Sequence, residues 1–341
     1  GSGILRQQDP SMFDMSFLTG GYAISLSGAD VGGGRIGALG AIFPSGSGFI
    51  SGSSLDVNDA GNFYPTFGTF SGIYAVDPTG RGTATLLIPG LAGGVFNFAM
   101  YVVSVNELIL ISTDPLSDSN PIWSGQAEAQ VGSPYNLTSF SGSSVFNLSG
   151  LNGAFSEATI GLMSFDGNGN IRVQTDRNSG GNITMAGSMT GAYSVQLNGR
   201  GDLNLVDSTT QVGTNWVMYA IAPNRAFLLD ASSSTVAIGE MKAQSLVQPI
   251  GNESLVGNFA FASGWPVSSA LPLSAGAVMF DGGTSVGGKG TVAGNQDVRT
   301  TSAMLSNQVL AGTYSVSRTS NNGRGIVTFT TPVPSTWVLW L

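Results

Sequence analysis

The chain has 341 residues, only 9% of them charged, with a net charge of −8 that forms no acidic run, so nucleic acid is not an expected partner. It contains no Cys and no His, which removes disulfides, thiolate metal sites, Cys nucleophiles and the usual general base. Apolar residues make up 42%, including 18 Phe, 8 Tyr and 5 Trp, so the chain can fill cores and is not disordered.

No apolar run is long enough for a membrane-spanning helix, and no signal peptide opens the sequence. An exported chain of this kind is expected to have lost its leader or to carry it upstream. No cofactor is expected.

The first segment, Gly3-Ile4-Leu5-Arg6-Gln7-Gln8, matches two later ones, Gly125-Gln126-Ala127-Glu128-Ala129-Gln130 and Gly239-Glu240-Met241-Lys242-Ala243-Gln244. Between the first two, apolar alternation broken by Gly, Asn, Asp and Ser predicts eight short strands: 21–26, 36–43, 49–57, 67–76, 82–88, 96–104, 107–113 and 123–130. A second set follows in the same order from about 144 to 244.

Three strand pairs show the repeat plainly. Gly72-Ile73-Tyr74-Ala75-Val76 with Gly80-Arg81-Gly82 returns as Gly191-Ala192-Tyr193-Ser194-Val195 with Gly199-Arg200-Gly201. It returns again as Gly312-Thr313-Tyr314-Ser315-Val316 with Gly323-Arg324-Gly325. The tyrosines are 119 and 121 residues apart, the size of a small domain rather than of a solenoid turn. Phe98-Ala99-Met100-Tyr101 likewise matches Trp216-Val217-Met218-Tyr219 and Trp337-Val338-Leu339-Trp340.

Sequential strands joined by short turns predict an all-β chain of three tandem eight-stranded antiparallel up-and-down barrels, a meander of the lipocalin or avidin kind. A two-sheet sandwich competes, but no long Greek-key crossover is needed. The expected division is 1–8 as the closing strand of a preceding or neighbouring barrel, 9–130 and 131–244 as complete repeats, and 245–341 as an incomplete third. Repeat three stops within its sixth strand, leaving open edges beside Trp337 and Trp340.

Two explanations stay open. The chain is a segment of a longer array, or its leading strand enters the third barrel of another copy, although one strand is offered where two are missing. On either view the outer barrels are expected to be completed by strands from a neighbouring copy or a longer chain. Ile4, Leu5, Arg6, Trp337, Leu339 and Trp340 are the candidate residues for such inter-subunit strands.

Arg81, Arg200 and Arg324 have two readings. In one they are ligands for carboxylate or sulfate; in the other they cover a barrel mouth or bond turn carbonyls, and their recurrence favours this structural reading. Tyr74, Tyr193 and Tyr314 are read as core residues rather than as the lining of a ligand cavity. Asp56-Val57-Asn58-Asp59 and Asp166-Gly167-Asn168-Gly169-Asn170 are rich in oxygen but lack the spacing of a calcium loop, so Asx turns are preferred. Asp30, Asp114, Glu157, Asp202 and Asp230 occupy no equivalent repeat positions, so paired-carboxylate hydrolysis is not expected and the chain is read as no enzyme.

The Gly-x-Tyr-x-Val and Gly-Arg-Gly strand pair, the stretch Asn224-Arg225-Ala226-Phe227-Leu228-Leu229-Asp230 and the Gly-x-x-x-x-Gln closing strand together resemble an uncharacterised module of large exported bacterial surface proteins. In those proteins meander barrels of this length stand in tandem. The resemblance spans nearly the whole chain and implies an extracellular, cell-surface location, but it transfers no catalytic or binding residue. Short linkers, 8–17, 130–143 and 244–255, imply a stiff array. The expected function is a structural subunit of an extracellular fibre, stalk or surface layer, with itself as principal partner, no membrane span, and glycan or surface contact as a further partner. The alternative is a secreted module holding a small apolar or glycan ligand in its barrels.

Overall fold

The computed structural model describes residues 5–65, 68–246, 249–263, 273–283, 288–300, 302–318 and 320–341, and it is all-β. A first unit holds Tyr22–Ala29 (β1), Arg35–Pro44 (β2), Phe49–Asp59 (β3), Asn62–Tyr64 (β4), Phe70–Val76 (β5), Arg81–Leu87 (β6), Val95–Ser104 (β7), Glu107–Ser112 (β8) and Ile122–Ala129 (β9). A second holds Ser141–Asn152 (β10), Phe155–Asp166 (β11), Asn170–Ser179 (β12), Asn182–Val195 (β13), Arg200–Asp207 (β14), Gly213–Ala222 (β15), Arg225–Asp230 (β16) and Thr235–Ala243 (β17). A third holds Val256–Ser263 (β18), Leu273–Asp281 (β19), Gly290–Arg299 (β20), Met304–Val316 (β21), Arg324–Thr331 (β22) and Ser335–Trp340 (β23).

The first two units are closed eight-stranded antiparallel barrels. In the first, β1 pairs with both β2 and β9, and β2 pairs with β3. This corrects the expectation that both outer barrels need strands from elsewhere. β1 and β9 lie in register from Tyr22↔Ala129 to Ala29↔Ile122, so the first barrel closes on its own strands. Among the described residues β18–β23 form an open six-stranded meander, the incomplete third unit expected, and not a third closed barrel.

Glycine makes the closing seam possible. A Cβ on Gly125 of β9 would lie 1.9 Å from the Ser25 carbonyl oxygen, and one on Gly239 of β17 equally close to that of Asn147. Only a residue without a side chain lets the last strand approach the first so closely. The strand expected over 67–76 is β5, and the short β4 stands ahead of it across a break, where the second barrel has the single long β13. Pro65 lies in the break, and proline has no N–H for the ladder.

Period-two alternation sends one side of each strand into a core and the other outward. Along β15, Trp216, Met218 and Ala220 enter the core of the second barrel. Val217, Tyr219 and Ile221 point the opposite way, into a separate apolar cluster shared with Ala23, Leu39 and Ala41 of the first barrel. Within the first barrel the voids measure only about 30 and 20 Å³, room for about one water each. That interior is filled with side chains.

The repeat tyrosines pin a plug to each unit. Short 3-10 turns, Met15–Phe17, Leu137–Ser139 and Asn252–Ser254, precede β1, β10 and β18. The Tyr193 hydroxyl sits 3.0 Å from the Leu137 carbonyl oxygen and 2.9 Å from that of Phe140. Tyr74 meets the carbonyls of Met15 and Leu18, both at 3.1 Å, and Tyr314 those of Asn252 and Leu255 at 3.3 and 3.1 Å. All three rings are buried, and Tyr193 and Tyr314 stand edge-on to Phe165 and Phe280 with centroids 5.0 Å apart.

Removing the Tyr193 hydroxyl takes a donor from the buried Phe140 carbonyl, whereas the Leu137 carbonyl keeps the Phe140 N–H at 3.1 Å. Tyr193→Phe is therefore expected to cost about 1–3 kcal/mol, read in urea as a lower midpoint with an unchanged slope. An unchanged midpoint would show that the hydroxyl does not hold the plug.

Candidate functional site at the joints between barrels

A buried ion pair joins the first two barrels. Arg200 opens β14 directly after Gly199, whose φ of +87° is the left-handed conformation of the preceding turn. On β14 its cross-strand neighbour is Tyr219 of β15. Both side chains reach Asp56 on β3 of the first barrel. Arg200 Nε and Nη2 donate to the two carboxylate oxygens at 2.8 and 3.0 Å, and the Tyr219 hydroxyl donates to Oδ2 at 2.6 Å.

The Arg200 and Asp56 side chains are 6% and 0% exposed. Arg200 Nη1 also donates to Asp202 at 2.7 Å. Burial alone would lower the pKa of this guanidinium, but the hydrogen bonds and charges of Asp56 and Asp202 outweigh it and hold the group firmly charged. Burial, followed by the neighbouring charge of Asp56, pushes the Tyr219 hydroxyl well above its ordinary value.

Other contacts surround the pair. Gln130, just past β9, donates from Nε2 to the carbonyls of Asn198 and Ala220 at 2.9 and 2.8 Å. Val131 N donates to Ile221 O at 2.7 Å, and Glu128 meets Arg225 at 2.6 Å. Asn58 is buried, and its amide donates to the carbonyls of Asp230 and Thr235 at 2.7 and 2.9 Å.

The next joint repeats the arrangement. Arg324 Nε and Nη2 donate to Asp176 at 2.8 and 2.7 Å, and Trp340 Nε1 takes the place of the tyrosine hydroxyl at 2.9 Å. Gln244 Nε2 donates to Asn322 O at 3.0 Å and to Leu341 O. Asp176 lies at a bulge in β12, between Thr175 and Arg177, a device that re-aims a side chain. Asp56 lies where β3 changes partner from β5 to β4.

Part of the same joint stands before the first barrel. Gln8 Nε2 donates to Val102 O at 2.8 Å, Asp9 N to Val103 O at 2.9 Å, and Arg6 meets Glu107 at 3.1 Å. Val102, Val103 and Glu107 are the repeat counterparts of Ala220, Ile221 and Arg225, so the Arg6–Glu107 pair is the Glu128–Arg225 pair with its charges exchanged.

Of the strand candidates, Ile4 lies outside the described residues. Leu5 is 96% exposed and Arg6 is held by Glu107, but neither belongs to a strand. Trp337, Leu339 and Trp340 lie on β23 at the edge of the open sheet, with Trp337 packed on Phe261 and Phe329 at 4.9 and 4.7 Å. Arg200 and Arg324 bind carboxylates of the preceding barrel rather than turn carbonyls. Arg81 is exposed.

The two oxygen-rich loops part ways. Asp166 accepts from the backbone N–H groups of Asn168 and Asn170 at 2.7 and 3.0 Å, an Asx turn, while Asp56 and Asn58 belong to the joint. Of the five scattered carboxylates, Glu157 and Asp230 are both buried in the second barrel. Glu157 is paired with Arg177, and burial raises the pKa of Asp230. Asp202 lies at the joint, whereas Asp30 and Asp114 accept local bonds from Gly34 and Asn97.

The residues missed from sequence are the recurring aspartates Asp56, Asp176 and Asp297, which precede the repeat tyrosines by 18, 17 and 17 residues. That spacing was the available signal. No protein-family model and no curated protein matches the chain.

Arg200→Ala would strand a buried carboxylate and is expected to cost about 3–5 kcal/mol, whereas Arg81→Ala should stay within about 0.5 kcal/mol. Urea unfolding of the two variants checks this, and equal losses would contradict it. Acid should loosen the second joint. Burial pushes the Asp176 carboxyl upward, but Arg324, the Ala186 N–H and Trp340 outweigh it and set it below its ordinary 3.8. Its contribution is thus complete above that pH and is lost as pH falls through the lowered value. Indole fluorescence of an Asp176→Asn variant should therefore have lost part of the transition that the parent shows below pH 3.8.

Proposed function

We propose that this chain is a structural subunit of an extracellular fibre, stalk or surface layer, built from tandem β-barrels and extended head to tail by strand complementation between copies. The observation that carries the reading is the repeated joint. Its contacts join the first barrel to the second and the second to the third sheet, and part of them already lies between residues 6–9 and the first barrel.

Residues 3–8 share the pattern of β9 and β17, the strands that lie beside β1 and β10. The matching edge of the third sheet is β18, which pairs only with β19 among the described residues. In the proposed assembly the leading segment of one copy lies along β18 of the next. An extracellular, cell-surface setting fits the resemblance to exported bacterial surface repeats and a low-charge, Cys-free composition. The subunit has no catalytic role and no cofactor in this reading, and its outer faces are left for glycan or surface contact.

A secreted binding module is the second reading. It is favoured by a groove of about 670 Å³ along the open sheet, lined by Phe261, Leu305, Leu310, Val333, Trp337 and Val338. Negative-stain electron microscopy of native material separates the two. Beaded filaments with a three-unit repeat are expected; isolated short particles at every concentration would overturn the fibre reading and favour the binding module.

A further inference from the structure

Each joint has two halves. One is an arginine that follows the Gly of the turn and opens the fifth strand of its unit, with an aromatic donor beside it across the ladder on the sixth: Arg200 with Tyr219, and Arg324 with Trp340. The other is an aspartate on the third long strand of the preceding unit, Asp56 or Asp176. The threefold repeat supplies one more copy of each half.

Arg81 and Tyr101 are cross-strand neighbours on β6 and β7, as Arg200 and Tyr219 are on β14 and β15. Both are exposed, Tyr101 by 44%, whereas Arg200 and Tyr219 are buried at 5% and 0%. Among the described residues the Arg81 guanidinium has no hydrogen-bond or ion-pair partner.

At the far end, Asp297 lies at a bulge of β20 between Gln296 and Val298. It accepts from the backbone N–H of Asn307 at 2.7 Å, as Asp176 accepts from Ala186 at 3.0 Å. Asn307 and Ala186 both have positive φ, 52° and 54°, so the two bulges share one geometry. Asp297 is exposed and has no cation partner among the described residues.

We infer that Arg81 with Tyr101 is a socket for Asp297 of a second copy of this chain, and that closing this contact sets the direction and rotation of each copy on the next. The occupant follows from the page: two finished joints have this chemistry, and the two unfilled halves are complementary in charge and lie on opposite terminal units. In the contact, Arg81 Nε and Nη2 take the two carboxylate oxygens of Asp297, and the Tyr101 hydroxyl donates to one of them. The strand contact supplies adhesion, and the ion pair supplies selectivity for a unit with an aspartate at that bulge. The contact presupposes the head-to-tail assembly proposed above.

The test uses two charge-reversed chains, Arg81→Asp and Asp297→Arg, compared by sedimentation velocity over a concentration series. Alone, each brings like charges together at every junction, and association should weaken by at least about tenfold. Mixed in equal amounts they alternate, every junction again pairs Arg with Asp, and assembly should return. Recovery on mixing also proves that both chains are folded. Asp297→Asn keeps an acceptor for the Asn307 N–H and should weaken assembly without the repulsion. Parent chains that assemble while both reversed chains assemble equally well, or fail to recover on mixing, would overturn this contact and leave strand complementation standing. A parent chain that stays monomeric throughout would overturn both.

Discussion

The arrangement of this molecule depends on a guanidinium and a carboxylate buried together between two separately closed units. Neither charge is tolerable alone at such a site, because an unpaired buried ion costs several kcal/mol, and the pair is favoured only in a geometry that fills its hydrogen bonds. Arg200 meets that demand with a two-pronged contact to Asp56, a third bond to Asp202 and a tyrosine hydroxyl completing the Asp56 shell. Nonpolar contact alone would let two barrels slide or rotate. A bidentate pair requires one orientation.

The remaining features serve this constraint. The chain has only 12 basic residues, yet Arg6, Arg200, Arg225 and Arg324 all sit at joints. The barrels act as spacers with filled interiors, sealed at the Gly125 and Gly239 seams and plugged by turns that the repeat tyrosines hold. Outward-facing residues of β15 and β16, which in a lone barrel would face water, build an apolar cluster with the first barrel through Val217, Tyr219, Ile221, Phe227 and Leu229. Rigidity at the joint is what the proposed fibre needs, since bending between units would spread through every copy.

Much of this was legible in the sequence, for local reasons. Strand limits followed from period-two alternation and from turns such as Asp77-Pro78-Thr79-Gly80, and the eight strands of the first barrel lie close to their expected places. Local pattern missed the short β4, which ends just ahead of Pro65. It failed more instructively at the joints. Arg200 and Arg324 stood out because Gly flanks them in every repeat, but their partners lie 144 and 148 residues earlier. The aspartates have different neighbours in each repeat, Leu-Asp-Val, Thr-Asp-Arg and Gln-Asp-Val, so only their distance from the tyrosine marks them. An arginine that recurs for a turn and one that recurs for a distant carboxylate look alike until the fold brings the carboxylate across.

The central claim is that the ion pair, and not only the nonpolar contact, sets the angle between units. Because the chain has no Cys, single cysteines at Ser71 and Asn204, exposed on β5 and β14, can carry a pair of spin labels. Double electron–electron resonance should then give one narrow distance between the first two barrels in the otherwise unaltered chain, and a broad distribution in the same chain carrying Arg200→Ala. A distribution that stays equally narrow without Arg200 would contradict the account and assign the orientation to the apolar cluster alone.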